Sequence, residues 1–96
     1  MRVMARITIP TVPGNRAISD GTIGKLMQSA ADRWKPEAMY YTTFDGQRTA
    51  YMVFDMADAS DIPAFAEPFF AGLEADMELA PVMNSQDLQK GLSQLS

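Results

Sequence analysis

The chain contains no cysteine and no histidine among its 96 residues. Without cysteine it forms no disulfide bond and offers no thiol nucleophile. Without histidine it lacks the usual general base near neutral pH and the commonest protein ligand for transition metals. Any catalysis must therefore use carboxylates, lysines, tyrosines or hydroxyl groups, and we expect neither a metal ion nor another cofactor.

Positive charge is also scarce. Eight lysines and arginines stand against 12 aspartates and glutamates, the net charge is −4, and the basic residues are scattered along the chain. Nucleic-acid binding draws its affinity from clustered basic residues, so no nucleic-acid partner is expected. No apolar run approaches the roughly 20 residues of a membrane span, and residues 1–10 alternate around two arginines, unlike a signal peptide. We therefore predict a cytoplasmic protein without a membrane partner.

The clearest structural signal is a β-hairpin over residues 39–56. Apolar and aromatic residues alternate with a period of two on both sides of Asp45 and Gly46, and this composition suits a pleated sheet. An Asp-Gly pair accepts the positive φ angles of a tight two-residue turn. Both faces of each arm are largely apolar, so we expect the sheet to be covered on both sides.

The other elements follow from hydrophobic periodicity and from the positions of proline and glycine. Pro68 should bend or break the helix in which it lies, because it removes a backbone hydrogen bond. Asp55, Asp58 and Asp61 are interpreted as caps of that helix rather than as metal ligands. The predicted elements of the single domain 1–96 are a strand at 2–9, a helical turn at 15–20, a helix at 23–34, the hairpin, a helix at 62–72, a strand at 77–82 and a helical tail at 85–95.

This order predicts a ferredoxin-like α+β fold, with a βαββαβ antiparallel sheet of spatial order 4-1-3-2 and both helices on one face. The other face then carries an apolar set that is too large to remain open to water. A second copy of the chain is the expected cover, which gives a homodimer of the dimeric α+β barrel type. The residues predicted on that second face are Met4, Arg6, Thr8, Tyr51, Val53, Glu78, Ala80 and Val82.

Four segments resemble a set of small bacterial proteins of uncharacterised activity in the dimeric α+β barrel superfamily. The segments are DGTIGK from residue 20, KPEAMYY from residue 35, IPAFAEPFF from residue 62 and ADMELAPVMNSQDLQKGL from residue 75. Some similar proteins carry a label borrowed from pantothenate synthetase. The superfamily includes monooxygenases of aromatic substrates and muconolactone isomerases, so the resemblance implies the same fold, a homodimer and a small-molecule ligand.

Several side chains are candidates for a ligand site. Arg6 and Glu78 should share the second face on neighbouring strands, either as an ion pair or with Arg6 binding a substrate carboxylate. Tyr41, Tyr51 and Arg48 are further candidates for lining or gating the site. The weak candidates for a catalytic carboxylate are Glu67, which lies beside Pro68, and Glu78, because desolvation would raise the pKa of either one.

Two classes of function remain open. The first is a homodimer that binds a small apolar or aromatic acid in a cavity between sheet and helices, with cofactor-free isomerase or oxygenase chemistry as its enzymatic version. The second is a non-enzymatic structural or interaction module that only dimerises through its sheet. An enclosed cavity with a few polar groups favours the first, and an interior filled by side chains favours the second.

Overall fold

The computed structural model describes residues 1–95, which form a four-stranded antiparallel sheet, four α-helices and one short 3-10 turn. The sheet order is β2-β3-β1-β4, which is the predicted order read from the opposite edge. The ferredoxin-like α+β prediction is therefore confirmed. The elements are β1 (Arg2–Ile9), α1 (Thr11–Ser19), α2 (Thr22–Trp34), β2 (Ala38–Phe44), β3 (Gln47–Asp55), the 3-10 turn (Ala59–Asp61), α3 (Ile62–Leu73), β4 (Asp76–Pro81) and α4 (Ser85–Leu92).

The hairpin between β2 and β3 turns on two residues, as the sequence predicts. Phe44 and Gln47 face each other as the last pair of the ladder, and Asp45 and Gly46 connect them. Their φ angles are 55° and 76°, so both lie in the left-handed region. This is the geometry of a type I′ turn, whose twist matches that of the flanking strands.

One face of the sheet, here called the inner face, packs against the helices. Buried residues of α1, α2 and α3 join the side chains of β1 and β3 in a single apolar core. At its centre the rings of Phe54 and Phe65 stack with 4.6 Å between centroids, and Trp34 packs against both. The helices α1, α2 and α3 therefore lie on one side of the sheet, as predicted for the two helices that connect the strands. The fully buried large side chains are Phe54, Phe65, Phe69, Ile7, Met52 and Leu73.

The opposite face, here called the outer face, carries three rows of directly opposed residues across all four strands. Most of these side chains are half-buried or exposed. The first row is apolar, the second combines tyrosines with opposite charges, and the third consists of threonines and one aspartate. In the order β2, β3, β1, β4, the rows are Ala38, Val53, Met4, Ala80; Tyr40, Tyr51, Arg6, Glu78; and Thr42, Thr49, Thr8, Asp76.

The segment after β1 differs from the sequence prediction. The prediction placed one helical turn at residues 15–20, whereas α1 is a nine-residue helix over Thr11–Ser19. Pro10 takes the N-cap position and Pro13 lies in the first turn, where a backbone N–H has no partner within the helix. The Gly14 N–H then donates to the Pro10 carbonyl at 2.9 Å. Both prolines therefore start this helix, although the sequence suggested that they end a strand.

Of the two effects predicted for Pro68, a bend or a break of its helix, the break is wrong, because α3 continues from Ile62 to Leu73. Pro68 is exposed, while Phe65, Phe69 and Leu73 are buried on the other side of the helix. Tertiary packing of this apolar side holds both halves of α3 on the sheet despite the missing hydrogen bond.

The last helix, α4, is shorter than the predicted tail at 85–95, because it ends at Leu92. Asn84 and Asp87 form a capping box in which each side chain accepts from the other residue's backbone N–H. Every residue of α4 is exposed. Among the described helices, none combines the length and apolar character needed to cross a bilayer.

Candidate functional site

Arg48 is fixed against the first helix. It extends from β3, and its guanidinium donates to the Asn15 Oδ1 at 2.8 Å and to the Thr11 carbonyl at 3.4 Å. α1 approaches closely here because Gly14 has no side chain. A Cβ on Gly14 would lie 2.7 Å from the Arg48 Nη1 and 3.2 Å from the Ile9 Cγ2. The guanidinium is therefore oriented by α1 before any ligand arrives.

A cavity of about 230 Å³ lies beside this arginine, between the sheet and α2. Its walls are mostly aliphatic, and Tyr41 and Arg48 add a phenol and a guanidinium. The cavity thus combines an apolar body with a few oriented polar groups, which is the usual constitution of a small-molecule site. The lining residues are Ile9, Ile23, Met27, Tyr41, Thr42, Arg48, Thr49 and Ala50.

A second cavity, of about 520 Å³, opens on the outer face near the hairpin tip. Arg6 lines it and places its guanidinium carbon 4.0 Å from the centroid of the Phe44 ring. This stacking is a cation–π contact. Arg6 and Glu78 are directly opposed in β1 and β4, as the alternation predicts, but no salt bridge joins them among the described residues.

The charges around this second cavity oppose an anionic ligand. Asp45, Asp76 and Glu78 contribute three carboxylates to its lining, against the single guanidinium of Arg6. At short range the carboxylates repel a bound acid more than one arginine attracts it. The cavity beside Arg48 has no acidic residue in its lining. An organic acid is therefore better matched by the smaller cavity.

The structure separates the candidate residues into three places. Tyr41 and Arg48 lie together at the cavity between sheet and α2. Arg6, Tyr51 and Glu78 form part of one row on the outer face. Glu67 is exposed on α3 and lines neither of these cavities. The site expected as one cluster is thus two clusters on opposite faces of the sheet, with one carboxylate apart from both.

Sequence reasoning missed the residues that position the two arginines. Asn15 accepts a hydrogen bond from Arg48 and Gly14 leaves room for its guanidinium, whereas the sequence predicts only one helical turn at residues 15–20 in this segment. Phe44 stacks on Arg6, although the two are 38 positions apart and on strands that are not neighbours. The contact of Phe44 could have been anticipated from the β2–β3 register, because the alternation along β2 places Phe44 on the outer face, the same face as Arg6.

The aspartates before α3 have three different roles. Asp58 accepts from the Ser60 N–H at 2.8 Å and caps the 3-10 turn, and this hydrogen bond lowers its pKa. Asp55 instead accepts from the N-terminal ammonium of Met1 at 2.8 Å, and Asp61 makes no side-chain cap bond. None of the three thus caps α3 itself through its side chain, and Asp58 caps the 3-10 turn that leads into α3. Within residues 1–95 there is no group of three or more acidic side chains arranged to hold a metal ion.

The chain matches a protein-family model. The family described as "Domain of unknown function (DUF3303)" matches residues 29–96, which is well over half of the chain. The matched part begins within α2 and includes the hairpin, α3, β4 and α4. No curated protein matches the chain.

Proposed function

We propose that this chain, which belongs to the DUF3303 family of unknown function, is a homodimeric protein that binds a small aromatic or apolar carboxylic acid between its sheet and α2. The observation that carries the proposal is the apolar cavity beside Arg48. The proposed dimer would belong to the dimeric α+β barrel superfamily, and its cytoplasmic location stays a prediction from the sequence.

The size and the charge of the cavity support this class of ligand. Its volume of about 230 Å³ lies below the range of about 300–1,000 Å³ that is typical for drug-sized ligands, so it suits a molecule with a single ring or a short branched chain. The aliphatic side chains of Ile9, Ile23 and Met27 would contact the apolar part. The carboxylate would bind the Arg48 guanidinium, and charge-assisted hydrogen bonds of this kind are among the strongest in proteins.

Titration with benzoate tests this proposal, with benzamide as the uncharged ligand of the same shape. We expect benzoate to shift the methyl signals of Ile23 and Met27 in NMR spectra at millimolar concentration, and benzamide to shift them much less. The Arg48→Gln variant should weaken benzoate binding roughly tenfold or more, because it removes a hydrogen bond to a charged group.

Arg16→Gln is the matched control for this variant. Arg16 lies on the neighbouring helix α1, where it is exposed and pairs with Glu74 at 3.2 Å, so its replacement removes the same charge without touching the cavity. Binding that is equally weak in both variants would indicate a general charge effect and would contradict the proposal. The absence of any shift at Ile23 and Met27 in the wild type would also contradict it.

A reaction at this site is not part of the proposal. Cofactor-free isomerase or oxygenase chemistry would need a group that transfers a proton at the bound acid. The two carboxylates predicted for that role, Glu67 and Glu78, do not line the cavity. Tyr41 is the one lining residue with an ionisable hydroxyl group, and it is 61% exposed.

The second candidate function, a module that only dimerises, is supported by the outer face. Its first row brings four apolar residues together across the sheet, and a contiguous apolar patch on a small protein commonly marks an interface. Dimerisation and ligand binding are compatible here because they use opposite faces of the sheet. A dimer that binds none of the small acids tested would leave the interaction module as the better description.

A further inference from the structure

The α4 helix presents an apolar stripe that is not part of its own chain's core cluster. Leu88 and Leu92 lie one turn apart in α4 and are 46% and 54% exposed, and Leu95, three residues beyond the end of the helix, is 74% exposed. An isolated helix of eight residues is marginal in water, and most helical stability in proteins comes from packing of the apolar side. The stripe therefore needs a cover.

One ion pair sets the direction of α4. Arg2 donates to the Asp87 carboxylate at 2.9 Å and also to the Glu37 carboxylate. Arg2 follows the same alternation as Met4 and Arg6, so α4 begins on the outer-face side of the sheet. The Asp87 side of the helix is turned toward its own sheet, and the leucines are left at the surface.

The chain has a larger exposed surface and a larger radius of gyration than a compact domain of its size. The chain exposes 6254 Å², about 800 Å² more than a compact monomer of its mass, 10.6 kDa. A stable interface buries about 800 Å² on each partner. Its radius of gyration is 15.0 Å, whereas a compact domain of this length has about 12.5 Å. The chain is therefore more extended than a compact monomer, and its excess surface is similar in size to the area that each partner contributes to a stable interface.

The first row of the outer face is the matching acceptor surface. Ala38, Val53, Met4 and Ala80 cross all four strands, a width of about 14 Å at the usual strand spacing. Leu88 and Leu92 are about 6 Å apart along the helix axis at the usual rise, so both fit within this width. The row lies at the same end of the sheet as Arg2, where α4 begins.

We propose that α4 is an arm that lays its leucine stripe across the apolar row of a second copy of this chain, while the Arg2–Asp87 ion pair keeps the helix attached to its own sheet. Each copy gives one helix and receives one, so the contact is closed by a two-fold axis. This inference rests on the proposed homodimer and assigns to α4 its part in the interface.

Spin labelling distinguishes a contact between two copies from one within a single copy. The chain has no cysteine, so the Gln86→Cys variant carries a single label, and Gln86 lies on the side of α4 away from the leucines. The labelled protein is mixed with an equal amount of unlabelled, ¹⁵N-enriched wild type. Any loss of amide signal then arises between copies. We expect it at Met4, Val53 and Ala80. The inference would be overturned if no amide signal is lost, or if the loss is confined to residues on the helical side of the sheet.

A pair of double variants tests the leucine stripe itself. Leu88→Lys with Leu92→Lys should weaken dimerisation at least tenfold in sedimentation or light scattering, because it places two charges in an apolar contact. Gln86→Lys with Ser93→Lys adds the same charge on the opposite side of α4 and should leave the dimer unchanged. Dimerisation that is equally strong in both variants would overturn the arm and leave the homodimer standing. A monomeric wild type would overturn the homodimer and the arm together.

Discussion

At the scale of single residues, two arginines of the sheet have different surroundings and therefore different uses. Arg48 lies beside aliphatic side chains and is oriented by oxygens of α1. Arg6 is stacked on Phe44 and lies among three carboxylates. Both follow a strand alternation that the sequence displays, but their partners come from distant parts of the chain. Parity predicted the face of Arg6, but Arg48 was expected in the same cluster, and only the tertiary contacts separate the anion-binding candidate from the other arginine.

Gly14→Ala tests how Arg48 is positioned. The added Cβ would lie 2.7 Å from the Arg48 Nη1, so the guanidinium must move away from α1. We expect benzoate binding to weaken several-fold in titrations of the variant. The matched control is Gly24→Ala in α2, where a Cβ meets no atom within 4 Å.

Stability measurements sharpen this comparison. In a helix interior, alanine is more favourable than glycine by about 0.5–1 kcal/mol. Gly24 is the third residue of α2, in its first turn, so Gly24→Ala should raise the free energy of unfolding in urea titrations by no more than that amount. The free energy of unfolding should rise less in Gly14→Ala, because the displacement of Arg48 offsets part of the stabilisation by alanine. Benzoate affinity that stays at the wild-type value in Gly14→Ala would show that α1 does not position Arg48.

At the scale of elements, local signals predicted the strands better than the helix boundaries. The hairpin was predictable because period-two alternation and an Asp-Gly pair require the same turn. The α1 helix was not predictable in full, because Pro10 and Pro13 are typical both of strand ends and of first helical turns. The continuity of α3 through Pro68 depends on buried phenylalanines that contact the sheet from one side. The helix propensity of the residues around Pro68 does not include this stabilisation by tertiary packing.

The 3-10 turn before α3 gives a prediction on pH dependence. The Asp58 carboxylate accepts the Ser60 N–H, which holds its pKa below the ordinary value of 3.8. A carboxylate with a lowered folded-state pKa stabilises the fold above its unfolded pKa, and this contribution is lost as the pH falls through the folded value. The urea midpoint of the wild type should therefore decrease between about pH 5 and pH 3.

Two variants separate charge from hydrogen bonding at this turn. In Asp58→Asn the side-chain oxygen still accepts from the Ser60 N–H but does not titrate, so the decrease toward acid pH should be smaller than in the wild type. Asp58→Ala loses the cap at every pH and should have a lower urea midpoint already at pH 7. An acid-induced decrease that is the same in wild type and Asp58→Asn would show that other carboxylates cause it.

At the scale of the whole molecule, the two faces of the sheet have separate uses in the proposals above. The inner face is filled by aromatic and aliphatic side chains, and the proposed ligand site lies where this packing leaves a cavity beside α2. The outer face is left for a second copy. Alternation in the sequence predicted both faces, since a period of two fixes them once one strand is oriented. The position of α4 was not predictable in this way, because it depends on the ion pair between Arg2 and Asp87, two residues 85 positions apart.

Tyr51→Glu tests the proposed dimer at the centre of the outer face. Tyr51 is opposed by Arg6 on one side and by Tyr40 on the other, so a dimer formed through this face would bury the new carboxylate. Burying this carboxylate is costly even beside Arg6, because the desolvation penalty of a buried ion pair can exceed its Coulombic gain. We expect the dissociation constant in analytical ultracentrifugation to rise at least tenfold.

Ser29→Glu is the control for this variant, because Ser29 is exposed on α2, on the opposite side of the sheet, and its replacement adds the same charge. Circular dichroism of both variants would verify that the fold is intact. If Tyr51→Glu dimerises as strongly as the wild type while Ser29→Glu dissociates, the interface lies on the helical side. The outer face would then need another explanation for its apolar row. If only Tyr51→Glu dissociates, the two copies meet through their sheets, and the cavity beside Arg48 remains accessible in the dimer.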